Sequence, residues 1–161
     1  MNPEEHLYIL ALKQCKNIGN INLKKLIKNI GSAKKVWKST PQSLLAISGI
    51  GKNSIQNIGN QEFLNFAEKE LKFCEKHDIK IIHQDEESYP KHLLNCDDAP
   101  MILFYKGNLN NELNPVSIVG TRKLTAYGKH FIQDLTQELS GSKVCTISGL
   151  ALGADSCVHE E

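Results

Sequence analysis

Apolar residues in the first half of the chain recur at the spacing of an α-helix. Between residues 4 and 77 they return every three or four positions, as in the group Leu23, Leu26, Ile27 and Ile30. Gly31 follows the last of these, and glycine is the residue that most often ends a helix. The pattern predicts an all-helical region over residues 4–77.

Within this region, two short apolar segments are joined by glycines that alternate with apolar residues. This arrangement is typical of a helix-hairpin-helix, in which the glycines allow the tight turn and the apolar residue between them is buried. In some proteins the N–H groups of such a hairpin hold a DNA phosphate, and in others the hairpin is only a compact scaffold. Both interpretations remain open here. The candidate phosphate contacts are Gly49, Ile50, Gly51 and Lys52.

From residue 79 onward the pattern changes to short β-prone runs. A helical pattern with apolar residues four apart separates the last two runs, which predicts a β-α-β unit with parallel strands. The same spacing places Tyr127 and Phe131 on the apolar stripe, and we expect both in the core. The runs are 79–83, 99–107, 116–119 and 144–147, and the helical stripe contains Tyr127, Phe131, Leu135 and Leu139, with Ile132 beside them.

Small and hydroxyl residues follow both strands of the predicted β-α-β unit. Val119 is followed by Gly120, Thr121 and Arg122, and Ile147 is followed by the segment 148–153. In a parallel sheet, ligands bind at the carboxyl ends of the strands, where small residues let backbone N–H groups approach an anion. Arg122 supplies the bidentate partner that suits a phosphate. The two segments together predict a phosphate-binding edge.

Three further side chains near this edge, those of Lys123, Asp155 and His159, are expected to have different roles. Lys123 is interpreted either as a second phosphate contact or as a plain surface lysine. We expect Asp155 to brace a loop or cap a helix, because a carboxylate beside a phosphate would repel it. His159 lies four residues later, on the same helical face, and we expect a structural contact between the two.

Charge is distributed unevenly, although the net charge is only +1. Residues 1–84 carry 13 Lys and 7 acidic residues, a net charge of +6, whereas residues 85–161 carry 6 Lys or Arg and 11 acidic residues, a net charge of −5. The basic half is suited to a polyanion, or its lysines simply cover solvated helix faces. Charge alone does not decide between these two interpretations.

Composition excludes several classes of protein. The apolar runs are far shorter than the roughly 18 residues that mark a transmembrane helix, and the acidic N-terminus is unlike a signal peptide. The five cysteines are scattered and include no Cys-x-x-Cys pair, which argues against a disulfide framework or a zinc site. We therefore expect a cytoplasmic protein with reduced thiols and no metal.

The second half contains fewer elements than a complete doubly wound sheet. Four strands and one complete crossover helix are predicted, whereas such sheets usually have five or more strands. The segment 155–161 is similar to the first turns of another helix. We expect the chain to be the N-terminal fragment of a longer protein.

Three segments that follow the helix-hairpin-helix pattern resemble one known family. They are APMILFYKG at 99–107, IVGTRKLTAYG at 118–128 and SGLALGADSCVH at 148–159. The chain resembles the DNA-processing protein A family (DprA, also called Smf) over nearly its whole length. The hairpin alone is not specific, but the last two segments together are. Leu124 and Ala154 depart mildly from the family pattern, which tends to have Pro and a β-branched residue there.

The resemblance implies a fold and a function. The fold is α/β, with a helical helix-hairpin-helix (SAM-like) domain over 1–78 and the N-terminal part of an extended Rossmann-like DNA-binding domain, with a parallel sheet, over 79–161. The function is single-stranded DNA binding and loading of the recombinase RecA in natural transformation, by a homodimer without catalytic activity or a cofactor. The matching phosphate-pocket positions are Gly120, Thr121, Arg122, Ser148, Gly149, Leu150, Ala151 and Gly153.

Two other classes of function remain as alternatives. The first is a Rossmann-type nucleotide-processing enzyme. An enzyme of this kind that binds a dinucleotide would carry a Gly-x-Gly-x-x-Gly loop after its first strand, and the segment 120–125 does not match it. Nor does the chain contain the Pro-Gly-Gly loop of related enzymes that cleave glycosidic bonds. The second alternative is a duplex-DNA or protein-interaction module carried by the helical domain alone, which the charge of +6 permits.

Overall fold

The computed structural model describes residues 3–160 and divides the chain into two compact units, Met1–Leu109 and Asn110–Glu161. The described part of the first unit contains six α-helices and a two-stranded sheet, and that of the second contains two α-helices and another two-stranded sheet. The structure is therefore mixed α/β with a helical N-terminal part, as the sequence predicts.

The helical prediction for residues 4–77 is confirmed. Gly31 ends the second helix with a φ of 105°, and its N–H donates to the carbonyl oxygen of Ile27 over 2.7 Å. Ser32 then caps the next helix by accepting the N–H of Lys35. The helices are α1 (Pro3–Gln14), α2 (Asn20–Ile30), α3 (Ala33–Lys38), α4 (Pro41–Leu45), α5 (Lys52–Ile55) and α6 (Gln61–Lys76).

One hydrophobic core joins these helices. Its fully buried side chains come from successive helices and include Ile9, Leu12, Leu23, Leu26 and Val36. Burying each such side chain contributes roughly 1.5–3 kcal/mol relative to leaving it in water. Apolar side chains at helical spacing thus hold the first unit together.

The first sheet departs from the sequence prediction. Strand β1 (Lys80–His83) pairs antiparallel with β2 (Ile102–Tyr105), with His83 opposite Ile102, whereas the sequence predicts a parallel sheet. The connection between the strands contains a short 3-10 helix (Lys91–Asn95) and no α-helix. Parallel neighbours are usually joined by an α-helical crossover, and this connection contains none, which is consistent with the antiparallel pairing.

This sheet belongs to the compact unit of the helices. Met101 and Ile102 are buried in the same core cluster as the helical side chains, and Ile81 packs against it. The border between the compact units therefore lies after β2, at Leu109 and Asn110. The domain division at 78/79 stays a prediction, since compactness alone does not define a folding domain.

Two histidines of the first unit, His6 and His83, each bury a ring nitrogen. His83 is 1% exposed, and its Nδ1 accepts the N–H of Asp85 over 3.2 Å. Within residues 3–160, the buried Nε2 atoms of His83 and His6 have no hydrogen-bond partner. Burial lowers the pKa of both imidazoles. It outweighs the nearby carboxylates that raise the pKa, which are Glu86 and Glu5 at His6 and Asp85 and Glu86 at His83.

We expect the first unit to lose stability as the pH falls below about 6.5, the ordinary pKa of histidine. The folded-state pKa values are lowered, so the unfolded chain binds protons first and the stability present above that pH is lost. His83→Asn retains an acceptor for the N–H of Asp85 and does not titrate. Urea unfolding at about pH 7.5 and about pH 5.5, followed by Trp37 fluorescence, should show a smaller loss for this variant. Equal losses in both proteins would contradict the assignment.

The second unit contains the predicted β-α-β arrangement. Strand β3 (Asn114–Ser117) pairs parallel with β4 (Val144–Ile147), and α7 (Ala126–Leu139) connects them. A further helix, α8 (Ala154–Glu160), follows β4. Strand β3 begins and ends earlier than predicted, so Val119 lies beyond it and is 79% exposed.

The prediction of a core position for Tyr127 and Phe131 is wrong. Tyr127 is 80% exposed and Phe131 is 57% exposed, whereas Ile132 is 5% exposed. Helix α7 buries Ile132 in the small core of the second unit, together with Ala154, Cys157 and Val158 of α8. Phe131 precedes Ile132 by one residue, which is about 100° around the helix, and Tyr127 lies one turn before Phe131. Both rings therefore miss this core.

No helix in the described part of the chain is long and apolar enough to cross a membrane.

Candidate nucleic-acid interface

Two loops lie at the same edge of the parallel pair. The first edge loop (residues 118–125) follows β3, and the second edge loop (residues 148–153) follows β4. Because the strands are parallel and Ser117 lies opposite Ile147, both loops leave from their carboxyl ends at the same level. The structure thus brings together the two segments that the sequence predicts as a phosphate-binding edge.

The two loops touch through their backbones. The N–H of Ala154 donates to the carbonyl oxygen of Thr121 over 3.1 Å. Gly153 has a φ of 97°, and a Cβ built on it would lie 2.7 Å from the carbonyl carbon of Arg122. A Cβ on Gly120 would lie 2.6 Å from the Cβ of Ala154. Glycine is therefore required at both positions for the loops to approach each other.

Asp155 braces the second edge loop from below, as predicted. Its side chain is 6% exposed, and its Oδ2 accepts the N–H of Gly149 over 3.0 Å. The hydroxyl of Ser148 accepts the N–H of Leu150 over 3.0 Å. The N–H groups of Gly149 and Leu150 are thus satisfied within the protein, although the sequence predicts that both residues contact phosphate.

The contact predicted between Asp155 and His159 runs through Ser148. The Oγ of Ser148 lies 2.8 Å from Nε2 of His159 and donates to the carbonyl oxygen of Asp155 over 3.4 Å. These bonds hold Ser148 half-buried beneath the loop. Ser148 therefore shapes the second edge loop.

Other N–H groups of the two loops remain available. Within the part of the chain that the structure describes, no protein acceptor is paired with the N–H groups of Gly120, Thr121 and Arg122, or with those of Ala151, Leu152 and Gly153. Unpaired N–H groups at a strand end are the donors that an anion needs. Leu152 is not among the phosphate contacts predicted from the sequence, and no feature of the sequence distinguishes it from its neighbours in the loop.

Positive charge is concentrated at the first edge loop and the start of α7. Arg122, Lys123 and Lys129 are all exposed, and the segment 113–133 contains no acidic residue. This segment lies in the half of the chain whose net charge is −5. The carboxylate of Asp155, which follows the second edge loop, is buried and accepts the N–H of Gly149. The exposed charge at this edge therefore attracts an anion.

The part of the chain that contains both edge loops matches the sequence model of a known protein family. The sequence model of the family described as DNA recombination-mediator protein A matches residues 80–161, about half of the chain. The chain belongs to this family. The matched region contains β3, β4 and both edge loops. The resemblance drawn from the sequence motifs is thereby confirmed.

Relatives extend the similarity to the helical part. Protein Smf from Synechocystis is 32% identical over 168 residues, which cover 99% of this chain and 41% of that protein. DNA processing protein DprA from Bacillus subtilis is 37% identical over 83 residues, which cover 50% of this chain and 28% of that protein. The X-ray structure of DNA processing protein A (DprA) from Streptococcus pneumoniae matches with a TM-score of 0.66 and 25% identity, over 96% of this chain and 52% of that chain. The chain thus spans about half or less of the length of these relatives.

The predicted hairpin contacts lie in the first unit, between α4 and α5. Gly49 has a φ of 80°, Ile50 is buried, and Gly51 and Lys52 are exposed at the start of α5. The ammonium group of Lys25 on α2 lies 2.8 Å from the position that a Cβ on Gly49 would occupy. The hairpin therefore forms, with two lysines near its glycines.

Metal ligation has no geometric support in the described residues. Within 3–160, no group of three or more His, Cys, Asp or Glu side chains is arranged to hold a metal ion. The five cysteines are free thiols, of which Cys96 and Cys145 are exposed.

Proposed function

We propose that the chain binds single-stranded DNA with little sequence preference, through phosphates held at the two edge loops. The observation that carries this proposal is the set of unpaired N–H groups at the carboxyl ends of two parallel strands, beside exposed Arg122 and Lys123. Backbone donors and cations bind phosphate without reading the bases. The proposed contacts are Gly120, Thr121, Arg122, Lys123, Ala151, Leu152 and Gly153, with Ser148, Gly149 and Leu150 shaping the second loop.

The proposal includes a role in recombination. The family is described as a recombination mediator, and its relatives are named DNA processing proteins rather than after a catalysed reaction. We propose that the whole protein loads RecA onto single-stranded DNA during natural transformation, as a cytoplasmic homodimer and without catalysis. RecA-dependent ATP hydrolysis on DNA coated with a single-strand-binding protein tests the loading, and light scattering tests the dimer.

The arrangement of domains is part of the same proposal. We propose that residues 1–78 form a SAM-like helix-hairpin-helix domain and that 79–161 form the first part of a Rossmann-like domain. The parallel unit β3–α7–β4 supports this arrangement for the second domain. An experimental structure of the whole protein in which β3 and β4 are not neighbours would contradict it.

Competition between DNA forms tests the central activity. The protein should bind labelled oligothymidylate of roughly 16 nucleotides, the upper site size of common single-strand modules, and an unlabelled duplex should compete poorly. Equal competition by duplex DNA of the same nucleotide concentration would instead favour a duplex-binding helical module.

A second phosphate contact is proposed at the hairpin residues Gly49, Ile50, Gly51 and Lys52. The support is the position of the Lys25 ammonium group beside Gly49, which adds a cation to the glycine turn. In the same assay, Lys52→Ala should weaken binding while the urea unfolding curve stays unchanged. Unchanged affinity in this variant would leave the hairpin as a scaffold only.

A further inference from the structure

His159 of α8 lies beside the second edge loop and contacts the first residue of that loop. Its Nε2 is 2.8 Å from the Oγ of Ser148, although the two residues are 11 positions apart in the chain. The ring of His159 is exposed, so packing in the core does not require an imidazole at this position. The contact with Ser148 is what distinguishes it from an ordinary surface histidine.

The other bonds of the Ser148 hydroxyl indicate which partner holds the hydrogen. This hydroxyl accepts the N–H of Leu150 over 3.0 Å and donates to the carbonyl oxygen of Asp155 over 3.4 Å. A serine hydroxyl has one hydrogen and two acceptor lone pairs. All three bonds therefore form at once only when Nε2 of His159 carries a hydrogen and donates it to Ser148.

This arrangement holds Leu150 in an unusual backbone conformation. Leu150 has a φ of 52°, in the left-handed region that costs free energy for a residue with a Cβ. Its side chain is 70% exposed, so packing does not hold it there. The bond from its N–H to Ser148 opposes relaxation, and His159 fixes the hydroxyl that accepts this bond.

The unpaired N–H groups of the second edge loop, at 151–153, lie between two fixed points. The first is Leu150, held by Ser148, and the second is Ala154, whose N–H donates to the carbonyl oxygen of Thr121. A loop that is already held in its binding conformation loses less entropy when an anion binds. The first fixed point therefore contributes to anion affinity without touching the anion.

We propose that His159 is a positioning residue for the phosphate site and acts through Ser148 on the N–H groups of the second edge loop. This inference rests on the proposed function and adds to it a residue that does not contact the strand. Loss of the His159 bond frees the Ser148 hydroxyl to turn, and Leu150 then relaxes from its left-handed conformation. The N–H groups that follow Leu150 leave their places at the edge, and the affinity for phosphate falls.

Binding of labelled oligothymidylate to three variants of the chain tests this role. His159→Leu removes the donor and should lose roughly fivefold in affinity, the effect of about one hydrogen bond. His159→Gln retains an N–H donor in place of Nε2 and should restore most of the affinity, whereas equal losses in both variants would overturn the role of the donor. His130→Leu is the matched control and should change nothing. It removes an exposed imidazole of the same unit, whose Nδ1 lies 2.8 Å from the carbonyl oxygen of Ala126 on its own helix.

A double-mutant cycle tests whether the effect passes through Ser148. Ser148→Ala removes the intermediate hydroxyl, so His159→Leu should cause no further loss of affinity in that background. Additive losses would show that His159 acts independently of Ser148 and would overturn the proposal. If the unmodified protein does not bind oligothymidylate, the proposed function fails; if it binds and His159→Leu keeps full affinity, only the positioning role is overturned.

The position of the hydrogen on the His159 ring gives a readout on the unmodified protein, which decides the matter even if a variant does not fold. At about pH 8.5, above the titration range of an ordinary histidine, hydrogen–nitrogen correlation spectra should show the ring hydrogen on Nε2. A hydrogen on Nδ1 alone would make His159 the acceptor of the Ser148 hydrogen and would contradict the assignment.

Discussion

Replacing Gly153 with valine should destabilise the second unit by about 2–4 kcal/mol, because the change combines backbone strain with a steric clash. The residue has a φ of 97°, which a β-branched side chain rarely adopts. Its Cβ would also collide with the backbone of Thr121 and Arg122 in the first edge loop. Because the colliding atoms are backbone, a side-chain rotation cannot relieve the contact, and the two loops must separate.

Gly141→Val is the matched control for this prediction. Gly141 has a φ of 80° in the same unit, but nothing lies within 4 Å of a Cβ built on it. It carries the conformational penalty of about 1–2 kcal/mol without the clash. Hydrogen exchange of the β3 and β4 amides measures both, and equal loss of protection in the two variants would show that the loops do not pack as described.

Replacing Arg122 with alanine should weaken single-stranded DNA binding by about 1–3 kcal/mol, the range for a hydrogen bond to a charged group. The fold should be unaffected, because only the backbone of Arg122 meets Gly153 and its side chain is exposed. Lys143→Ala removes the same charge immediately before β4, at the opposite end of the parallel pair. Fluorescence anisotropy with labelled oligothymidylate should show a clear loss for the first variant and little for the second.

The helices and the β-α-β unit were predictable because local patterns determine them. Apolar spacing of three to four residues fixes which side of a helix is buried, and Gly31 ends α2 by its own conformational freedom. The parallel pair follows from two apolar runs joined by a helical crossover. The position of the edge loops follows in turn from the direction of those strands.

What the sequence did not predict depends on contacts between distant residues. The apolar run of β1 carries no information about its partner, which is the antiparallel β2. The face of α7 that is buried depends on where α8 packs, and spacing by four could not distinguish Phe131 from its neighbour Ile132. The N–H of Gly149 is used by Asp155, a bond that only the folded loop reveals.

The salt dependence of DNA affinity tests most directly whether phosphates bind at the edge loops. For single strands, the slope of log K against log salt concentration decreases in magnitude by about 0.7 for each phosphate that the protein no longer neutralises. We predict a slope smaller by about that amount for Arg122→Ala and an unchanged slope for Lys143→Ala. An unchanged slope for Arg122→Ala, or equal changes in both variants, would contradict the assignment of the phosphate site to this edge.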